Sequence, residues 1–233
     1  YRQEYLNEKM IRKQKQQAVS EQVVELENYR LKPNKMQVAF VKNVMEMRAQ
    51  HIDRALLLSS TGTGKSLASA FMLREMGTRR ALFIVHREQI AKQTLKSYKR
   101  VFGSSRTYGL LSGNSRELGA EFLFATMQMM SKEDILSHYS PGDFDVIILD
   151  ECHHAGAESY QKIMRYFKPK FWLGMTASPD TNQYDIYSIF DHHIAYEIRL
   201  QQALEEDLLC PFHYFGITDL EINGEVFDDT TGY

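Results

Sequence analysis

The run Leu56-Leu57-Leu58-Ser59-Ser60-Thr61-Gly62-Thr63-Gly64-Lys65-Ser66 constrains this chain more than any other segment. An apolar stretch with strand character enters a glycine-spaced turn, then Lys-Ser, then a helix-like segment from Leu67 to Met76. Strand, turn and helix in that order are the setting of a P-loop. Glycines let backbone N–H groups converge on phosphate oxygens, and the helix N-terminus adds a partial positive charge. Ser60, Thr61, Gly62, Thr63, Gly64, Lys65 and Ser66 are therefore the candidate nucleotide-binding residues. Lys65 is placed to reach the outer phosphates and the Ser66 hydroxyl to hold Mg²⁺. Ser59 stands where the general pattern has its first glycine.

A second run sharpens the reading. Asp145-Val146-Ile147-Ile148-Leu149-Asp150-Glu151-Cys152-His153-His154 is an apolar stretch that ends in two adjacent carboxylates. A continuous apolar run with polar bounds reads as a fully buried strand of a parallel sheet. Such sheets place ligands at the carboxyl ends of their strands, so Asp150 and Glu151 are expected beside the P-loop. Mg²⁺ favours carboxylate and phosphate oxygens and keeps several waters. Asp150 suits that shell, and Glu151 suits positioning and polarising an attacking water.

These strings resemble a known family. SSTGTGKS, DECHH and Met175-Thr176-Ala177-Ser178-Pro179 look like motifs I, II and III of superfamily 2 helicases, in the DEAH-like, restriction-subunit branch. Val85-His86-Arg87-Glu88-Gln89 is similar to motif Ia, and Phe124-Ala125-Thr126-Met127-Gln128 to the next DNA-contact motif. Lys32-Pro33-Asn34-Lys35-Met36-Gln37 resembles the upstream glutamine motif. The likeness runs from about Leu31 to Ile217, and serine at position 59 is within that branch's habit. It implies a RecA-like P-loop domain of α/β class, with a mainly parallel sheet covered by helices on both faces. Lys65, Asp150 and Glu151 would be catalytic, Gln37 would read adenine, and His86, Arg87, Thr126 and Gln128 would touch nucleic acid. His153, Thr176 and Ser178 would couple the two.

The implied work is ATP hydrolysis with Mg²⁺, coupled to movement along DNA, with RNA a possible substitute. Two alternatives differ in output. One is the motor subunit of a restriction or phage-defence complex that translocates without unwinding and feeds a nuclease elsewhere. The other is a non-catalytic, nucleotide-gated binding module. A P-loop kinase fits least, since no acceptor-substrate motif or lid-like arginine cluster follows the acidic strand. The family's second RecA-like lobe supplies arginines to the ATP site, and such fingers are worth about 10³–10⁵ in rate. None is read here, so the polypeptide is expected to be a weakly active fragment of a longer motor.

Composition adds bounds. With 233 residues and 43% hydrophobic content, the chain can bury one large core. Residues 1–30, rich in Gln, Glu, Lys and Arg, read as a helical extension or linker; 31–218 as the ATP-binding lobe; 219–233 as a tail towards the second lobe. No run is long enough to span a bilayer and no signal-peptide pattern opens the chain, so a cytoplasmic protein without membrane partners is expected. Cys152 and Cys210 have neither disulfide nor metal spacing. Net charge is −2, but about eight Lys/Arg and one acid lie between Arg79 and Arg106, which suggests one face for a polyanion.

Within that stretch, Glu88 to Phe102 reads as a helix with an apolar stripe (Ala91, Leu95, Tyr98, Phe102) and a lysine stripe (Lys92, Lys96, Lys99). Thr126 also suits a helix N-cap. Gly174 would permit close packing near a bound nucleotide. In the resembling family an arginine usually follows the acid after motif III. Here Asp180 is followed by Thr181, and the loop there is expected to be poorly held.

Overall fold

The computed structural model describes residues 31–60, 62–177, 185–199 and 203, and the backbone of 221–222 and 225–226. The expected N-terminal extension and the loop at Asp180 lie outside the described residues.

Among the described residues seven parallel strands form the sheet: β1 (Arg54–Ser59), β2 (Ala81–Val85), β3 (Tyr108–Leu111), β4 (Phe122–Thr126), β5 (Val146–Asp150), β6 (Phe171–Thr176) and β7 (Ile194–Ile198). They run in the order β3-β4-β2-β5-β6-β1-β7, and every pairing is parallel. Parallel neighbours need crossover connections, which here carry the helices onto both faces. On one face lie α1 (Lys35–Ala49), α2 (Lys65–Glu75) and α3 (Glu88–Phe102); on the other lie the short helices α4 (Met127–Met130) and α5 (Glu133–Leu136), and α6 (Glu158–Tyr166). The four-residue helix α7 (Ile186–Ile189) precedes β7, and a two-stranded hairpin, β8 (Glu221–Ile222) and β9 (Glu225–Val226), follows.

The side-chain period of two splits the strands between two cores. Leu57, Phe83, Phe124 and Ile148 pack beneath α1 to α3. Leu56, Leu58, Ile84 and Leu149 pack on the other side with Tyr160, Ile163 and Phe167 of the α6 region. Both faces are dry, which is why these strands read as unbroken apolar runs rather than alternating ones. Gly174 serves this packing. A Cβ there would lie 2.5 Å from the Phe190 ring and 2.9 Å from Leu56, so the close approach is to core side chains and not to the nucleotide loop.

The basic stretch does not become one face. Arg80 precedes β2 and pairs with Asp143, while Arg106 pairs with Glu121. His86 and Arg87 leave the opposite end of β2, roughly 16 Å away at about 3.3 Å per residue. The sequence count ignores that a strand separates its two halves.

Candidate ATP and nucleic-acid site

All strands point the same way, so motifs far apart in sequence emerge at one sheet edge. The P-loop leaves β1 and the carboxylates leave β5, with β6 between them.

The loop closes on its own hydroxyls. Thr63 Oγ1 donates to the Ser60 carbonyl at 2.8 Å, which leaves Ser59 Oγ as donor in the 2.5 Å Ser59–Thr63 bond. Ser59 is buried, and its hydroxyl does holding work a glycine could not. Gly62 and Gly64 sit at φ 91° and 93°, where side chains are disfavoured. Gly64 begins α2 without any side-chain cap, so the first-turn N–H groups face the loop. Lys65 Nζ donates to the carbonyls of Ser59 and Ser60 at 2.7 and 3.2 Å, which puts its charge inside the curve. Ser66 opens the same helix. Thr61 and Ser178 lie outside the described residues.

Gln37 has a protein partner at each end of its amide. Its Oε1 accepts from the Asn34 N–H at 2.9 Å, while Asn34 Oδ1 accepts from the Gln37 N–H at 2.8 Å. This is a capping box. Its Nε2 donates to the Gly64 carbonyl at 3.2 Å. The amide thus ties the start of α1 to the P-loop, and one lone pair and one N–H remain for a ligand. Asn34, three residues before a glutamine and ahead of an apolar helix, is the sequence signal that would have found the box.

Across the gap, Asp150 is buried. Burial, then the charge of Glu151, push its carboxyl up to about 6 despite the opposing pull of Lys65. Burial also lowers Lys65, against the pull of Asp150 and Glu151. Two carboxylates against one weakened ammonium make a site short of positive charge. Glu151 itself has left-handed backbone, φ 51° and ψ 47°, a conformation that costs a non-glycine residue about 1–3 kcal/mol. It turns the chain sharply into the short 3₁₀ turn Cys152–His154. Cys152 simply packs: it is buried, and burial pushes its thiol up.

The turn presents His153 to β6. His153 Nδ1 lies 3.0 Å from Thr176 Oγ1 and 3.3 Å from Glu151 Oε2. Burial, then the charge of His154, hold its imidazole below the usual value against the pull of Glu151, so these contacts are those of a neutral ring. The expected coupling pair His153–Thr176 is therefore in contact.

The nucleic-acid candidates occupy the same edge on the other side of β5. His86 and Arg87 are exposed, and Arg87 holds the N-cap position of α3 with extended backbone. Thr126, buried at the end of β4, occupies an N-cap position but makes no side-chain cap bond; Gln128 is exposed. The lysine stripe is partly engaged. Lys92 pairs with Glu88 at 2.5 Å, and Lys99 lies over the Tyr108 ring.

Residues 30–181 match the family described as type III restriction enzyme, res subunit. The chain belongs to that family. It is 27% identical to the type I restriction enzyme EcoAI endonuclease subunit of Escherichia coli, over 84% of this chain and 27% of that protein. Among solved structures it resembles a nuclease-deletion mutant of the type ISP restriction-modification enzyme LlaGI in complex with a DNA substrate mimic (TM-score 0.61, 19% identity, 76% of this chain and 21% of that one). It also resembles the UvsW helicase of bacteriophage T4 (TM-score 0.56, 19% identity, 72% of this chain and 60% of that one). The fold is that of the first RecA-like lobe of superfamily 2 helicases, and the chain spans about a quarter of its E. coli relative.

Among the described residues no helix is long and apolar enough to cross a membrane. Nor does any group of three or more His, Cys, Asp or Glu residues there form a metal cage of its own. The donors at the sheet edge, the Ser66 hydroxyl and the Asp150 carboxylate, fit a hard oxygen-seeking cation that also takes ligands from a phosphate.

Proposed function

We propose that this chain is the ATP-binding lobe of a nucleic-acid-dependent ATPase that hydrolyses ATP with Mg²⁺ to move along DNA. One observation carries the reading: an uncapped, glycine-flanked helix start bearing Lys65 faces a buried Asp150 and a strained Glu151 across one edge of a parallel sheet. When bound, magnesium neutralises charge on the transferring phosphoryl group. The first-turn N–H groups of α2 and Lys65 bind the phosphates. Ser66 and Asp150 hold the metal, and Asp150 ionises more readily beside a cation. Glu151 orients the attacking water and accepts its proton. His153, hydrogen-bonded to Thr176 and in contact with Glu151, keeps that carboxylate aimed. Arginines of a second lobe complete the charge around the reacting group.

The deciding measurement is the ATPase rate of the full-length protein titrated with single-stranded DNA, duplex DNA and RNA. Stimulation by DNA supports the reading. A rate at background with every nucleic acid points instead to a nucleotide-gated binding module. The likeness to restriction-enzyme subunits favours a particular output, translocation on duplex DNA without strand separation, in the service of a nuclease in the same complex. Triplex displacement without strand displacement is the expected signature.

A further inference from the structure

His154 is the second histidine of the DECHH run. Its ring lies 4.0 Å, centroid to centroid, from that of His153 and 5.8 Å from that of His86, tilted by 35° to the latter. His153 in turn touches Glu151 and Thr176. A continuous line of side chains therefore runs from the water-positioning carboxylate, through two imidazoles, to His86 of the first nucleic-acid motif.

The sheet explains why rings are needed there. The ladder between β2 and β5 ends at Ile84 and Leu149. Above that point Glu151 diverts its strand into the 3₁₀ turn, while β2 continues through Val85 to His86 and the N-cap residue Arg87. The His154–His86 pair spans the two diverging segments. Glu151 holds a backbone conformation that is costly for its residue type, so the turn that carries His154 stores strain that its surroundings hold in place. A shift of that turn moves His154 against His86, and with it the start of α3.

We infer that His154 is a positioning residue that couples the ATP site to the nucleic-acid motif by packing on His86. The inference rests on the proposed function. Aromatic pairs of this kind are worth 0.5–1.5 kcal/mol, a factor of roughly 2 to 10.

The test is a double-mutant cycle in the full-length protein, read as ATPase rate with and without saturating single-stranded or duplex DNA. His154→Ala is expected to lower the DNA-stimulated rate about 2- to 10-fold, with the DNA-free rate nearly unchanged. His154→Phe, which keeps a ring, should restore most of the stimulation. His154→Ala combined with His86→Ala should be no worse than the poorer single variant. Losses that multiply, or a phenylalanine variant as poor as alanine, overturn the coupling while leaving the ATPase reading intact. A wild-type enzyme that no DNA stimulates overturns both.

Discussion

The Gln37 side chain donates to the Gly64 carbonyl at 3.2 Å while its oxygen accepts from the Asn34 backbone. A residue read from sequence as an adenine contact is thereby a tether between α1 and the phosphate loop. Gln37→Ala removes the tether and half of the capping box. It is expected to destabilise the fold by about 1–2 kcal/mol, measured by denaturant unfolding. Its effect on ATP-over-GTP preference should be small. A collapse of that preference with unchanged stability would assign Gln37 to adenine rather than to the tether.

Lys65→Ala takes away the cation inside the loop and is expected to abolish most nucleotide affinity and nearly all turnover. Glu151→Gln should bind ATP like the wild type yet not hydrolyse it, because the phosphate and metal ligands survive and the proton acceptor does not. Titration with a fluorescent ATP analogue separates the two. Equal affinity in wild type and Lys65→Ala would sink the P-loop assignment.

Asp150 gives a dependence on pH with a definite sign. Its folded-state value, about 6, lies above the ordinary carboxylate value. Ionisation therefore opposes folding, and stability present at low pH is lost as pH rises through about 6. Asp150→Asn should raise the unfolding free energy near pH 8 by up to about 3 kcal/mol and change it little near pH 4, while hydrolysis is lost. Denaturant melts at the two pH values check it; a variant less stable at pH 8 contradicts it.

The Arg87 side chain is exposed and has no ion pair or side-chain hydrogen bond among the described residues, whereas Lys92 is held by Glu88. Arg87→Ala should flatten the slope of log K for DNA against log salt by about one unit. Lys92→Ala should do less. Reversing Lys92, Lys96 and Lys99 together to glutamate should weaken binding in a salt-dependent way; an unchanged slope would mark the stripe as a solvated face.

Much of this was legible because buried parallel strands leave unbroken apolar runs. The strand that feeds the P-loop, the helix Glu88 to Phe102 and the strand ending at Asp150 lie where the sequence puts them. β3 was missed: four residues broken by Gly109, with a turn after them, carry too little pattern. α6 was missed despite Tyr160, Ile163 and Phe167 at helical spacing, because it is only nine residues long and Ala157 gives no side-chain cap to mark its start. Within the site, residue types announced the phosphate loop and the carboxylates. The bonds of Gln37 and the ring contact of His154 depend on how separate elements meet, which no single stretch records.

The position of β1 has a consequence for synthesis of the chain. The strand that feeds the P-loop sits between β6 and β7, both translated more than roughly 110 residues after it. At about 5–20 residues per second, Leu56, Leu57 and Leu58 wait on the order of 6–20 s for their sheet partners. For that interval the most apolar part of the nucleotide site is an unpaired strand on a growing chain. The nascent protein is then at its most prone to aggregate and most in need of a chaperone.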